Sequence, residues 1–185
     1  GGWGWVGLGR SGAVAGGAIQ GWCARWGGSL GVLGCDASVG RRFSVGDLVD
    51  RGPESERVLE WLDEGWFHAI CGNHDLMAYS HALGLPSDIA YLQSWGGWLG
   101  HLSGPDQQRI GQALAALPLA MEIETPGGLV GLVHADWPFA AWQAMQAVPW
   151  HDISMAGRGA DCCLGSVERC RLRVAGAVRN VPADG

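Results

Sequence analysis

From Arg42 onward, short apolar runs alternate with stretches of helical periodicity, and several of the apolar runs stop at a cluster of polar residues. Phe43-Ser44-Val45 reads as a short buried strand ending at Gly46-Asp47. Pro53, Glu54 and Glu56 then open a helix as an N1 proline and first-turn acids do. Val58, Leu59, Trp61 and Leu62 form its apolar face, and Gly65 closes it. Trp66 to Cys71 is a second strand running into a loop, Gly72-Asn73-His74-Asp75, after which Leu76, Met77 and Leu83 continue as a helix. Residues 84–104, with Pro86, the Gly96-Gly97 pair and several aromatics, predict a short helix and loops lying over the strand ends. Pro105 to Leu117 is a helix closed by Pro118. Leu119–Thr125 and Leu129–Val133 pair as strands around Pro126-Gly127-Gly128, and the second ends in His134-Ala135-Asp136. Such alternation defines an α/β protein, whose ligands gather where strands end.

Residues 1–40 have a different texture, rich in glycine and tryptophan, with Asp36 as their only acid. Each glycine weakens a helix by about 1 kcal/mol relative to alanine, so this part is expected to be the least ordered. Gly7-Leu8-Gly9-Arg10-Ser11-Gly12 fits G-x-G-x-x-G, but only Trp3, Trp5 and Val6 stand where the preceding strand should be, and glycine density explains the match. Ala13-Val14-Ala15 imitates a signal-peptidase site, yet Arg10 and the glycines interrupt the apolar stretch a leader needs. No run approaches the roughly 18 apolar residues of a membrane span.

With 185 residues, 48% of them hydrophobic, the expectation is a single domain over 1–185 with its core in 41–140. A net charge of -6 speaks against a non-specific nucleic-acid binder. All 12 basic residues are arginine, and they form no stripe. Cys23, Cys35, Cys71, Cys162, Cys163 and Cys170 contain no C-x-x-C pair, which reads as reduced thiols in a cytoplasmic protein.

Chemistry enters with three clusters: Asp47, Asp50 and Arg51; Asn73, His74 and Asp75; and His134. Carboxylate, amide oxygen and imidazole suit Mn²⁺, Fe or Zn²⁺, and a shared carboxylate can hold two such ions about 3.5–4 Å apart for in-line attack on phosphorus. A guanidinium beside that acid clamps phosphate oxygens. His74 is able to protonate a leaving alkoxide if a carboxylate such as Asp50 holds its ring. Singly, each residue has a plainer reading as a turn, an N-cap, a surface ion pair or a satisfied histidine. Jointly, those readings require three strand ends to carry metal-type residues by accident.

Gly46 to Pro53 with Ser55, Gly72 to Asp75, and His134-Ala135-Asp136-Trp137-Pro138 resemble, in order and spacing, the motifs of the bacterial and phage serine/threonine phosphoprotein phosphatases, within the calcineurin-like metallophosphoesterases. The resemblance covers about residues 41–140. It implies a β-sandwich of mixed sheets with helices on both outer faces, and a chain that stops short of the family's C-terminal strands. It implies Asp47 as bridging metal ligand, Asn73 and His134 as ligands of the second metal, and Arg51, with Asn73, at the substrate phosphate. His74 becomes the proton donor paired with Asp50, and the attacking group a metal-activated water, with no phosphoenzyme. The implied cofactor is a divalent metal, Mn²⁺ first, and the implied partner a phosphorylated protein or small phosphoester. Two departures stand out. The family's G-D-x-H-G frame falls on Gly17-Ala18-Ile19-Gln20-Gly21, leaving Gln20 as the only possible donor there, and no late Gly-His pair follows His134, the nearest histidine being His151. A diadenosine-tetraphosphate hydrolase is the related alternative, although that group usually has alanine at the position of Asp50. A degenerate homologue that binds phosphorylated partners without catalysis is the other.

Overall fold

The computed structural model describes residues 5–7, 14–32, 40–87, 89–125 and 128–134. The glycine fingerprint beyond Gly7, Pro126-Gly127, Ala135 to Pro138, His151 and the cysteines other than Cys23 and Cys71 lie outside the described residues. Strands β1 (Trp5–Gly7), β2 (Val14–Gly16), β3 (Arg42–Ser44) and β4 (Phe67–Ala69) form one sheet in that order. The β1–β2 pair is antiparallel, whereas β2, β3 and β4 run parallel, so their C-terminal ends share one edge. Strands β5 (Ala120–Thr125) and β6 (Gly128–Val133) form an antiparallel hairpin in which Thr125 pairs with Gly128.

The sheet is mixed, as the resemblance implied, and its two faces follow from the two-residue period of a strand. Ala15 and Phe43 pair across β2 and β3 and pack with Ile70 against Met121, Ile123 and Leu132 of the hairpin. Phe67, Ala69 and Cys71 face the other way, into a second cluster with Val58, Ala78, Tyr79, Tyr91, Leu99, Ile110 and Leu114. That cluster draws on the helices α1 (Cys23–Val32), α2 (Val58–Leu62), α3 (Asn73–Ala82), α4 (Ile89–Ser94) and α5 (Gly104–Ala115). Sheet against hairpin with helices outside is the expected sandwich, and among the described residues the helical layer joins the one cluster only.

Element by element, the differences from the sequence reading trace to specific hydrogen bonds and backbone conformations. The glycine-rich first part forms a ten-residue helix, α1. Its second residue, Ala24, donates its N–H to the distant Glu54 carboxylate at 2.8 Å, so an anion supplied by tertiary contact sits at the helix start. Pro53 does not open a helix. Asp50 and Arg51 take left-handed conformations (φ 72° and 62°). The Gly52 N–H bonds the carbonyls of Asp50 and Gln20, and helicity begins only with a 3₁₀ turn, Ser55–Arg57, followed by α2. Conversely, Asn73-His74-Asp75 is no loop but the first turn of α3. Gly72 is the N-cap, and the Asp75 carboxylate accepts its N–H at 2.8 Å.

Residues 89–101 form α4 and a 3₁₀ segment, Gly96–His101, matching the short helix and loops expected there. Ser103 caps α5 through the Asp106 N–H, with proline at its start. Cys23 and Cys71 are buried free thiols. None of the described helices is long and apolar enough to cross a membrane.

Phe43 is 1% exposed and ties the main sheet to the hairpin. Replacing it by alanine is expected to cost about 3–5 kcal/mol, read as a lower midpoint in urea unfolding with unchanged slope.

Candidate active site

The parallel strands deliver their following loops to one edge of the sheet, and backbone hydrogen bonds join those loops. Gln20 N–H donates to Asp47 O at 2.6 Å, Gly21 N–H to Leu48 O at 2.9 Å and Glu54 N–H to Gly21 O at 2.9 Å. The segment after β2 therefore lies directly beside the segment after β3, where the frame Gly17–Gly21 was expected. Gly46 approaches Gly72 so closely that a Cβ on it would sit 2.6 Å from the Gly72 nitrogen, and its φ of 92° suits glycine alone. Among the described residues four non-glycine side chains have positive φ: Gln20, Asp47, Asp50 and Arg51. Such conformations cost on the order of 1–3 kcal/mol each and cluster where function holds a chain in an unfavourable shape. All four fall in this corner.

One buried carboxylate locks the arrangement. Asp75 accepts the Leu48 N–H and the Gly72 N–H, both at 2.8 Å, one on each oxygen. Burial pushes its pKa up to about 7, against the lowering by those N–H groups and with Asp47 adding to the rise. Asp75 thus joins the loop after β3 to the start of α3.

Two constellations flank this tie. In the first, His134 at the end of β6 donates Nδ1–H to Val45 O at 2.6 Å, which leaves Nε2 pointing at Asn73 Oδ1 (3.0 Å) and Asp47 Oδ1 (3.3 Å). Asp47 Oδ1 also takes the His74 N–H at 3.1 Å. A neutral imidazole with its proton on Nδ1 presents a lone pair at Nε2, here facing two oxygen lone pairs. A proton or a metal cation is what relieves that repulsion, and the donor set of carboxylate, amide oxygen and imidazole suits a divalent ion. Among the described residues no three His, Cys, Asp or Glu side chains meet, since the third donor is the Asn73 amide. Ala18 offers no donor, and Gln20 reaches the corner through its backbone.

In the second constellation, His74 Nδ1 donates to Asp50 Oδ2 at 2.7 Å, and Arg51 Nη2 lies 3.3 Å from His74 Nε2. Burial lowers the His74 pKa and Arg51 adds to that, but the hydrogen bond to Asp50 and the charges of Asp47 and Asp50 outweigh both and hold it above the ordinary imidazole value. The Arg51 guanidinium lies over the Trp95 ring at 4.7 Å, and the same ring meets His74 edge-on at 5.7 Å. Asp50 is fully buried and accepts two further bonds on Oδ1, from Tyr91 Oη (2.9 Å) and Trp98 Nε1 (2.7 Å).

Every residue selected from the sequence thus reaches one edge of the sheet. Asp47, Asn73 and His134 meet in one group and Asp50, His74 and Arg51 in another. Gln20 contributes only its backbone, and Ala18 nothing. Sequence reasoning missed Asp75 as the tie and Tyr91, Trp95 and Trp98 altogether. The signals were present: an acid three residues after an N-cap glycine marks a helix start. Tyr91, Trp95 and Trp98 are spaced i, i+4, i+7, which puts three side chains on one face of a helical segment.

A site of this kind at the C-terminal ends of parallel strands is reflected in the chain's relationships. Residues 41–151, more than half of the chain, match the family of calcineurin-like phosphoesterases, and the chain belongs to that family. Serine/threonine-protein phosphatase 2 of Escherichia coli strain K12 is 38% identical over 99 residues, covering 52% of this chain and 45% of that protein. Serine/threonine-protein phosphatase 1 of Salmonella typhimurium is 33% identical over 116 residues, covering 60% and 52%. The symmetrical bis(5'-nucleosyl)-tetraphosphatase of Paracidovorax citrulli is 33% identical over 121 residues, covering 56% and 41%. The chain spans about half the length of these curated relatives. The crystal structure of a protein described as a diadenosine tetraphosphatase shares the fold, with a TM-score of 0.54 at 20% identity over 76% of this chain and 54% of that one.

A Cβ on Gly72 would fall on the amide and carboxylate of Asp47 and within 2.9 Å of His134 Cε1, whereas a Cβ on Gly65 meets nothing within 4 Å. Gly72→Ala is expected to destabilise the protein by about 1–3 kcal/mol in urea unfolding, with Gly65→Ala within about 0.5 kcal/mol of the parent.

Proposed function

We propose that this chain carries the catalytic centre of a metal-dependent phosphomonoesterase of the serine/threonine protein phosphatase type. The observation that carries the reading is the meeting of Asp47 Oδ1, Asn73 Oδ1 and His134 Nε2, the two oxygens lying 3.3 and 3.0 Å from the imidazole nitrogen. These three residues would hold a divalent ion, Mn²⁺ in this proposal. When bound, that ion supplies the charge that activates a water and offsets the phosphoryl oxygens. The chain's own residues do the rest. Arg51, held over Trp95, turns its guanidinium to two phosphate oxygens, assisted by the Asn73 amide. His74, its Nδ1–H fixed on Asp50, presents Nε2 to the leaving oxygen and gives it a proton as the P–O bond breaks. The preferred substrate is phosphoserine or phosphothreonine in a protein, and the setting proposed is the cytoplasm, without nucleic-acid or membrane partners.

A second reading, hydrolysis of diadenosine tetraphosphate, is favoured by the relatives and the fold neighbour described as acting on that compound. The acid at Asp50 weighs against it, because that group usually has alanine there, and here Asp50 is bonded to His74. The third reading, binding without catalysis, rests on Ala18 and Gln20. Within Gly17–Gly21 neither Ala18 nor Gln20 carries an anionic donor. The proposal therefore includes one well-held ion and a weak place for a second.

Turnover of p-nitrophenyl phosphate with added Mn²⁺ tests the hydrolase reading directly. Asp47→Asn is expected to lower kcat/KM by about a hundredfold or more, and a parent no faster than that variant would leave only the binding role. Bound metal, counted by elemental analysis after gel filtration in Mn²⁺, is expected near one ion per chain and to rise toward two in Ala18→Asp/Gln20→His. No rise would remove residues 17–21 from the centre.

A further inference from the structure

Resting on the hydrolase reading above, we infer that Tyr91 and Trp98 are positioning residues for proton donation: their O–H and N–H groups fix one rotamer of the Asp50 carboxylate, and through it the His74 ring. A fully buried carboxylate has two oxygens to satisfy. Asp50 Oδ2 is committed to His74 Nδ1, so the angle of that bond depends on what holds Oδ1. Two donors hold it, at 2.9 Å from Tyr91 and 2.7 Å from Trp98. The indole N–H donates and never accepts, and burial beside Asp50 pushes the Tyr91 hydroxyl strongly upward, so both groups remain donors throughout the working pH range.

The geometry is maintained by the surrounding chain. A Cβ on Gly96 would fall on the Tyr91 ring, so the absence of a side chain there is what lets the phenol lie flat against the backbone and reach Asp50. Tyr91 is 2% exposed, in the core cluster shared with Leu99. Both donors come from the segment 89–101, which contributes no strand and lies against α3 and the 3₁₀ turn at Ser55–Arg57. The sheet and α3 thus bring in the two members of the dyad, and a separate helical segment sets its angle. Trp95, between the two donors in sequence, carries Arg51, which places the proton donor and the phosphate clamp under one segment.

The consequence is specific to the leaving group. Water adds to phosphorus, the P–O bond to the alcohol breaks, and the departing oxygen takes the proton from His74 Nε2. An alkoxide needs that proton far more than p-nitrophenolate does. Tyr91→Phe, Trp98→Phe and the double variant are therefore compared on a phosphoserine peptide and on p-nitrophenyl phosphate. Each single change is expected to lower kcat on the peptide about tenfold, the loss of one hydrogen bond to a charged group. The p-nitrophenyl phosphate rate should change about twofold or less on the same scale, with KM steady on both. Equal losses on the two substrates, or none on either, overturn the inference. An independent measurement needs no turnover: the His74 Nδ1–H resonance, assigned by its loss in His74→Gln, is expected to be downfield and slowly exchanging in the parent. It should broaden away in the double variant, and in Tyr91→Phe alone exchange should quicken with the melting temperature held. A resonance that stays sharp in these variants overturns the inference. A parent that hydrolyses neither substrate sinks the hydrolase reading, while the resonance still decides the positioning role.

Discussion

The Asp75 carboxylate is the contact on which the corner depends. Its two oxygens take the N–H of Leu48, in the loop after β3, and the N–H of Gly72, at the start of α3. A carboxylate in this place is costly, as its pKa of about 7 records, because burial withholds water from the charge. In exchange the two backbone segments are joined at the point where Asp47 and Asn73 leave them. The pairing of β3 with β4 brings Gly46 and Gly72 near each other, and the tie fixes the loops that leave them.

Strain, and lone-pair repulsion wherever His134 Nε2 carries no proton, are the two costs the corner carries. Four non-glycine residues with positive φ stand in consecutive loops, stabilised by the cross-loop hydrogen bonds from Gln20, Gly21, Gly52 and Glu54. Beside them, three lone-pair donors from Asp47, Asn73 and His134 are oriented at one another, the imidazole fixed by its bond to Val45 O. A core built only for stability would relax both. On the proposed reading the corner is preorganised for an ion, since donors already in place need no rearrangement when the ion arrives.

The corner is uneven in how its side chains are supported. Asp50, Arg51 and His74 are bonded to one another and supported from outside by Tyr91, Trp95 and Trp98. The half beside β2 keeps its backbone path, with Gln20 and Gly21 bonded to the loop after β3, but Ala18 cannot bind a cation. Main-chain hydrogen bonds need no particular side chain, so this backbone path does not depend on which residue stands at position 18.

By itself the sequence determined the order of elements from residue 42 on, the strand ends where chemistry gathers, and the identity of Asp47, Asp50, Arg51, Asn73, His74 and His134 as a group. These were legible because strand and helix periods are local and because each polar cluster interrupts an apolar run. It also led to the resemblance that the match over residues 41–151 bears out as family membership. Only the tertiary structure decided the rest. Pro53 looked like a helix start, but left-handed Asp50 and Arg51, held by Gln20 and Ser55, delay the helix. The glycine-rich first part contains α1, whose N-terminal anion is supplied by Glu54, thirty positions away from Ala24 in the chain. Tyr91 and Trp98 acquired meaning from a carboxylate more than forty residues earlier. In each case the deciding partner is distant in sequence, and a hydrogen bond formed across that distance overrides what neighbouring residues prefer.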